Sequence, residues 1–244
     1  MPRYARQHSE SGYLHIITRG VNKQILFEEP KDHIHYLNLL KRFSLETDVT
    51  ICAYCLMENH VHLLICDKQK NVSLFMKKLG VSYSYYFNAK YHRTGHLFEN
   101  RFQSRVIEGE NYLLTVFRYI LNNPRDAGIC SAAEYKWSSY GKYGLKGSFV
   151  DTSVFQEMLG SFEEYAAYIN AKYEDEDPVR EISHDDEWAK AVIRDTLGIE
   201  SGSVLRSYDW ARRNEAVRML KQKGLSVRQI ERLTGINRNA IQRA

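Results

Sequence analysis

The stretch VTICAYCLMENHVHLLIC, residues 49–66, decides the fold because it holds two strand patterns separated by a short polar turn. Residues 49–56 are rich in β-branched and aromatic side chains, and residues 60–66 form an apolar run that carries two histidines. The turn at residues 57–59 is short enough to join two neighbouring antiparallel strands. We therefore expect a β-hairpin here.

The segments around this hairpin alternate between helical and strand patterns. In the first of them the alternation puts Tyr13, His15 and Ile17 on one face of a strand. Pro124 is expected to stop a helix, because the residue before a proline avoids the α region. The order β-α-β-β-α-β-α predicts an α+β domain with a ferredoxin-like antiparallel sheet and packed helices. The expected strands are residues 12–19, 49–56, 60–66 and 102–107, and the expected helices are 31–43, 72–87 and 111–123.

An acidic run that contains a proline, EDEDP at residues 174–178, marks the expected domain boundary. We assign residues 1–173 to the first domain, 174–187 to an acidic linker and 188–244 to a second, all-α domain. The helical patterns in this last part are residues 188–197, 208–223, 226–233 and 238–244. Gly235 separates the last two, which is the spacing of a helix-turn-helix, although plain helical bundles also contain such pairs.

The chain has 244 residues, of which 43% are hydrophobic and 26% charged, so a disordered chain is excluded. No apolar run approaches the roughly 20 residues that span a bilayer, and the basic N-terminus lacks the apolar segment of a secretion signal. We therefore expect a cytoplasmic protein. The four cysteines do not form a disulfide framework, and Cys52 and Cys55 are expected on opposite sides of their strand.

The net charge of +4 is distributed unevenly along the chain. Residues 1–150 carry +7, residues 151–190 carry −9 and residues 191–244 carry +6. Two basic blocks on either side of an acidic one are typical of two modules that bind polyanions. Ordinary solvated surface charge would give the same pattern.

Two His-x-His pairs occur, and their geometry separates them. His33 and His35 lie in a helical pattern, where residues two apart point in different directions. His60 and His62 lie in a strand pattern, so both imidazoles leave the same face. That pair suits a divalent metal ion bound through neutral imidazole nitrogens. The alternative is a pair of ordinary surface or core histidines.

The helix before Pro124 carries Tyr119 and Asn123, which are four residues apart and share one face. The asparagine offers a carbonyl oxygen to a hard cation such as Mg²⁺ or Mn²⁺, and the tyrosine offers a phenol nucleophile. Tyr119 is also one of 17 tyrosines, most of which are expected simply to pack.

Four motifs, in order, resemble those of the REP-associated tyrosine transposases, relatives of the small HUH insertion-sequence transposases. They are MENHVHLL at residues 57–64, TGHLFENRF at residues 94–102, RYILNNP at residues 118–124 and WSSY at residues 137–140. The resemblance covers about residues 8–170. One departure is Glu99-Asn100, where the family pattern has Gln and a small residue. The tail more loosely resembles the helical DNA-binding domain of the chromosomal replication initiator protein.

The resemblance implies a function. His60, His62 and Asn123 would hold Mg²⁺ or Mn²⁺, and Tyr119 would attack a DNA phosphate to form a 5′-phosphotyrosine. The expected partner is single-stranded or hairpin DNA, in particular repetitive palindromic elements, with the protein acting as a monomer or homodimer away from membranes. The residues expected to contact DNA are Arg101 in the second motif and Arg228, Arg232, Arg238 and Asn239 in the tail.

Three readings of the function remain at this point. The first is a metal-dependent DNA strand transferase. The second is a regulator that derives from a transposase and binds hairpin DNA without cutting it; such a binder has no need of His60, His62 and Tyr119 together. The third is a replication or plasmid-transfer nickase, whose replicative form is disfavoured because the chain lacks a P-loop.

Overall fold

The structure is a computed structural model in which residues 9–171, 186–199, 201–223, 225 and 227–243 are described. The chain divides into two compact units, with the division between Val179 and Arg180. Most of the expected linker, up to residue 185, lies outside the described residues. Its last two positions, 186 and 187, begin a helix rather than ending a linker.

The first unit is built on a four-stranded antiparallel sheet. Its strands lie in the order β2-β3-β1-β4 across the sheet, and every neighbouring pair is antiparallel. This is the strand order of a split β-α-β ferredoxin-like fold, so the predicted fold class is confirmed. The strands are β1 (Tyr13–Arg19), β2 (Thr50–Met57), β3 (His60–Cys66) and β4 (Gln103–Val106).

One face of the sheet is covered by two long helices, α1 (Pro30–Thr47) and α2 (Val72–Lys90). The alternating residues Val61, Leu63 and Ile65 of β3 are buried in the core that these helices share with the sheet. Because successive residues of a strand point to opposite faces, the histidines of β3 must leave the other face.

The other face of the sheet is covered by α3 (Glu110–Asp126). Two short helices, α4 (Ser153–Leu159) and α5 (Phe162–Asn170), belong to the same apolar cluster as α3 and were not predicted. The rings of Phe117 in α3 and Phe155 in α4 are stacked with centroids 3.8 Å apart. This contact joins α4 to α3.

Two local expectations were wrong. Pro124 lies inside α3, which continues to Asp126. The proline removes only one intrahelical hydrogen bond close to the helix end, and its carbonyl still accepts from Ile129 N–H at 2.9 Å. In β2 the register shifts between Ile51 and Ala53, and this bulge places Cys52 in the same apolar cluster as Cys55 rather than on the opposite side.

The second unit is helical in its described residues, as predicted. Its apolar core gathers residues from every helix, including Ile193, Leu220, Ile230 and Ile241. Gly235 has φ +69° and ends one helix before the next begins, a conformation that favours glycine. The helices are α6 (Asp186–Leu197), α7 (Trp210–Gln222), α8 (Val227–Thr234) and α9 (Arg238–Arg243), with a 3-10 segment at Gly202–Ser207.

None of the helices in the described ranges combines the length and the apolar character that crossing a membrane requires.

Candidate active site

The two histidines of β3 lie on the α3 face of the sheet, as their spacing predicted. Their ring centroids are 5.0 Å apart and the rings are nearly perpendicular. His62 is only 4% exposed, and His60 is half-buried at the start of the strand. The more exposed ring of the pair, that of His60, therefore lies toward the end of the sheet where β3 begins.

His15 of β1 joins this pair, and the sequence analysis did not assign it to the site. Ile17 is the register partner of His62, so the alternation of β1 places His15 on the same face, one position further along. The Nε2 atom of His15 lies 2.9 Å from Nδ1 of His62, and the two rings stack with centroids 5.1 Å apart. His15 is 1% exposed.

Tyr119 and Asn123 reach the same place from α3. The ring of Tyr119 stands edge-on to those of His62 and His15, with centroid separations of 5.6 Å and 6.1 Å. Asn123 lies one turn further along the helix, and its Nδ2 atom donates to the carbonyl of Tyr119 at 3.0 Å. The structure thus brings together His60, His62, Tyr119 and Asn123, which are separated by up to 63 positions in the sequence.

Burial and nearby positive charge keep these histidines neutral. Burial and the charge of Arg19 lower the pKa of His60 to about 4, against a hydrogen bond with Asn123 that raises it. Burial and the charge of Arg105 lower the pKa of His15 to about 3. The pKa of His62 is also well below its ordinary value, first because the ring is buried and then because His15 and His60 are close. All three imidazoles are therefore unprotonated at pH 7.

The imidazole nitrogens of His60 and His62, together with one amide oxygen, would fit a divalent cation. Among the described residues, no three His, Cys, Asp or Glu side chains gather where they could hold a metal ion. The Oδ1 atom of Asn59 lies 2.7 Å from Nδ1 of His60 and can only accept, so this nitrogen carries the proton and Nε2 keeps its lone pair. Asn123 uses its Nδ2 atom within α3, so its side-chain oxygen, on the side of His60, would be the third donor.

The other His-x-His pair takes no part in the site. His33 is stacked between Phe27 and Trp137, with ring centroids 4.3 Å and 4.1 Å away. His35 stacks on Tyr86 at 3.7 Å instead. The two imidazoles therefore diverge, as their helical spacing predicted.

Two arginines at the site were missed by the sequence analysis. Arg19 pairs in register with His60, and Arg105 pairs with His15. Both side chains are close enough to lower the pKa values of the histidines, and Arg19 is exposed. Strand alternation alone could have placed Arg19 on the face of His15, since the two residues are four apart in β1.

The structure describes three of the five side chains that are predicted to contact DNA. Arg101 is exposed just before β4 and lines a cavity of about 710 Å³ that α2 and residues 95–102 enclose. In the second unit Arg232 is exposed on α8, and Arg238 is half-buried at the start of α9. Arg228 belongs to α8 and Asn239 to α9, but their side chains lie outside the described part of the structure.

Part of the chain matches a known protein family. Residues 8–123 match the sequence profile of the family described as "Transposase IS200 like", and they include the whole sheet and the four site residues of β3 and α3. This region is therefore similar to the IS200-like transposases. Among curated proteins, no sequence matches the chain.

One solved structure shares the fold of this region, and a second is similar over half of the chain. A REP-associated tyrosine transposase bound to a REP hairpin aligns with a TM-score of 0.52 and 13% identity, covering 63% of this chain and 96% of that one. A putative transposase from Deinococcus radiodurans is 19% identical and covers 50% of this chain and 97% of its own, with a TM-score of 0.34.

Proposed function

We propose that the protein cleaves and rejoins DNA strands, with Tyr119 as the nucleophile in a metal-assisted reaction. The observation that carries this proposal is the convergence of His60, His62, Asn123 and Tyr119 at one end of the sheet. A packing tyrosine has no need of two neutral histidines and an amide beside its ring. The match of residues 8–123 to a transposase family profile supports the same reading.

The reaction exchanges one phosphodiester for another. The phenol oxygen of Tyr119 attacks a DNA phosphorus, the bond from phosphorus to the 3′ oxygen breaks, and a 5′-phosphotyrosine and a free 3′-OH result. The phenol loses its proton and the leaving 3′ oxygen gains one. A second 3′-OH reverses the step and restores a phosphodiester, so the exchange needs no ATP.

A free phenol has a pKa of about 10 and is a weak nucleophile at pH 7. In the proposed site, His60, His62 and Asn123 would hold Mg²⁺ or Mn²⁺. When bound, such an ion neutralises charge on the scissile phosphate and orients it. The rings of His15 and His62 fix the Tyr119 ring from one side, which restricts the directions in which its hydroxyl can point.

Single-stranded or hairpin DNA is the substrate class that we propose. The similar structure with 13% identity holds a REP hairpin, and the present chain places Arg19 and Arg105 on the face that carries Tyr119. Guanidinium groups bind phosphate oxygens with two parallel hydrogen bonds. We assign these two arginines, with Arg101, to contacts with the DNA backbone.

The second unit supplies further DNA contacts in this proposal. Residues 1–173 would form the catalytic domain and residues 188–244 a helix-turn-helix domain, with α9 as the helix that reads base edges. Arg238 and Asn239 begin α9 and can pair with guanine and adenine edges, while Arg228 and Arg232 on α8 would hold phosphates. The tight turn at Gly235 between α8 and α9 supports this assignment.

The test is a denaturing gel. The protein is incubated with Mn²⁺ or Mg²⁺ and a labelled DNA hairpin that carries a single-stranded flank. We expect a covalent protein–DNA band that requires the metal, and we expect Tyr119→Phe to abolish the band without weakening hairpin binding.

Tyr112→Phe is the matched control, because Tyr112 is another half-buried tyrosine of the same helix. It should leave the band unchanged. Binding of the hairpin without any covalent band in the wild-type protein would overturn the proposal in favour of a regulator that binds but does not cut. A band that survives Tyr119→Phe would exclude Tyr119 as the nucleophile.

A further inference from the structure

His15 has only one polar partner for its imidazole among the described residues. Its Nε2 atom contacts Nδ1 of His62 at 2.9 Å, and its Nδ1 atom is buried without a hydrogen-bond partner. The ring is almost fully buried beside the apolar cluster that α3 shares with the sheet. An aliphatic side chain would fill this place without a buried, unpaired nitrogen, so packing alone does not explain a histidine here.

The direction of the His15–His62 hydrogen bond decides what His62 can do. Two neutral imidazoles share one proton across a short contact, so one ring donates and the other accepts. If His15 donates, then Nε2 of His62 carries the remaining proton and cannot bind a cation. If His62 donates from Nδ1, then its Nε2 keeps a lone pair that can act as a ligand.

We propose that His15 is a positioning residue, which accepts the Nδ1 proton of His62 and so keeps Nε2 of His62 free for the metal. The inference rests on the proposed function, because it concerns a ligand of the same site. Asn59 has the equivalent relation to His60, with its oxygen 2.7 Å from Nδ1. Each proposed imidazole ligand thus has one acceptor of its own that fixes its tautomer and its ring orientation.

The first measurement uses the metal-free full-length protein. Long-range ¹H–¹⁵N NMR spectra of the histidine rings report which nitrogen carries the proton. We expect His62 to be protonated at Nδ1 in the wild-type protein. In His15→Leu, which removes the acceptor and keeps an apolar side chain, we expect this preference to be lost. His15→Gln offers a side-chain oxygen in place of Nε2 and should restore it.

The second measurement is the affinity for Mn²⁺, determined by calorimetry without DNA. We expect His15→Leu to weaken binding about 10- to 100-fold, which is typical of the loss of a partner behind a metal ligand. His15→Gln should recover most of the affinity. His33→Leu is the control, because it also removes a largely buried, stacked imidazole but on the helix that covers the opposite face of the sheet. It should leave the affinity unchanged.

The outcomes separate this inference from the proposed function. A wild-type His62 protonated mainly at Nε2 would overturn the role of His15, and so would a folded His15→Leu that binds Mn²⁺ as tightly as the wild-type protein. If His15→Leu does not fold, the wild-type NMR spectra decide alone, and a His62 protonated at Nδ1 supports the role. Absence of any Mn²⁺ binding in the wild-type protein would instead refute the metal-assisted function, while the NMR result would still decide the tautomer.

Discussion

His62 lies where the apolar core of the first unit meets the proposed reaction site. A charged imidazole at a position that is 4% exposed would lose most of its hydration, whereas a neutral one keeps a hydrogen bond to His15. The same burial that disfavours protonation therefore leaves the ring ready to bind a cation. His60, half-buried at the edge of this site, has its pKa lowered to about 4, first because of burial and then because of the charge of Arg19.

The first prediction compares the two His-x-His pairs. Replacing His60 and His62 by Ala removes both proposed imidazole ligands and should abolish Mn²⁺ binding in calorimetry and metal-dependent cleavage on a gel. Replacing His33 and His35 by Ala should change neither, because their rings stack on other aromatic residues. Equal losses from both double variants would mean that the metal site is not at β3.

Asp32 is a second buried polar residue, and its role is structural. Its carboxylate is fully buried and accepts from Lys90 Nζ at 2.5 Å, from the Tyr91 hydroxyl at 2.7 Å and from the Tyr86 hydroxyl at 2.9 Å. Burial raises the pKa of Asp32, but the hydrogen bonds from Lys90, Tyr91, the Glu29 backbone and Tyr86 outweigh it, so the pKa is below its ordinary value. This cluster joins the start of α1 to the end of α2.

The second prediction follows from this shift. Because the folded-state pKa of Asp32 is depressed, its contribution to stability is present above the ordinary value of 3.8 and is lost as pH falls through the lower folded value. Asp32→Asn should lower the free energy of unfolding at pH 7 by about 1.5–3 kcal/mol, the range for hydrogen bonds to charged groups. Urea denaturation across pH 2.5–7 should show this difference shrinking at the acid end (about pH 4 and below).

Glu46→Gln is the control for that series. Glu46 is an exposed residue that pairs with Arg42 and Lys78, and exposed pairs contribute little to stability. The free energy of unfolding of Glu46→Gln should stay close to that of the wild-type protein at every pH. If Asp32→Asn loses the same free energy of unfolding at every pH, Asp32 is not charged in the folded protein and the assignment is contradicted.

At the scale of elements, strand and long-helix patterns were predictable and short helices were not. The strand at His60–Cys66 has the expected bounds because its apolar run is flanked by clear turn residues. The helices α4 and α5 are only seven and nine residues long, too short for a periodic stripe to stand out. One signal was present: Ser161 and Glu164 form a capping box at the start of α5.

The contact between His15 and His62 could not be predicted from the sequence, for a different reason. Its strand and its face were predicted, but its contact with His62 depends on β1 lying between β3 and β4. Residues 47 positions apart meet only because of that strand order, which no local pattern encodes. The bulge at Cys52 was missed for a related reason, since it is a property of two paired strands.

The third prediction tests whether α4 holds α3 against the sheet. Phe155 is fully buried and stacks on Phe117, so Phe155→Ala should cost about 3–5 kcal/mol in the free energy of unfolding. Phe162→Ala, at a side chain that is 48% exposed on the next helix, should cost much less. Urea denaturation of both variants measures the difference, and equal costs would show that α4 contributes no special support.

At the scale of the whole molecule, two units with separate apolar cores carry different parts of the proposed function. The first has a core on each side of its sheet, and the second has its own core among α6 to α9. The positive charge of both regions, +7 over residues 1–150 and +6 over residues 191–244, is consistent with two surfaces that bind a polyanion.

The fourth prediction concerns removal of the second unit. A protein truncated near residue 178 should stay folded and cleave DNA, but with lower affinity and weaker discrimination between target sequences. The affinity difference should shrink as salt rises, because phosphate contacts release counterions. Fluorescence anisotropy at several salt concentrations measures this effect. Unchanged affinity and selectivity at low salt would show that the helix-turn-helix does not bind DNA.

The central claim is that Tyr119 becomes covalently joined to DNA, and mass spectrometry tests it most directly. The wild-type protein is reacted with hairpin DNA and Mn²⁺, denatured, treated with nuclease and protease, and its peptides are sequenced. We predict a nucleotide phosphate on Tyr119 in the peptide that contains residues 118–124, and none when the metal is chelated. A phosphorylated nucleotide adduct on any other tyrosine, or no adduct on a protein that cleaves the DNA, would contradict the account.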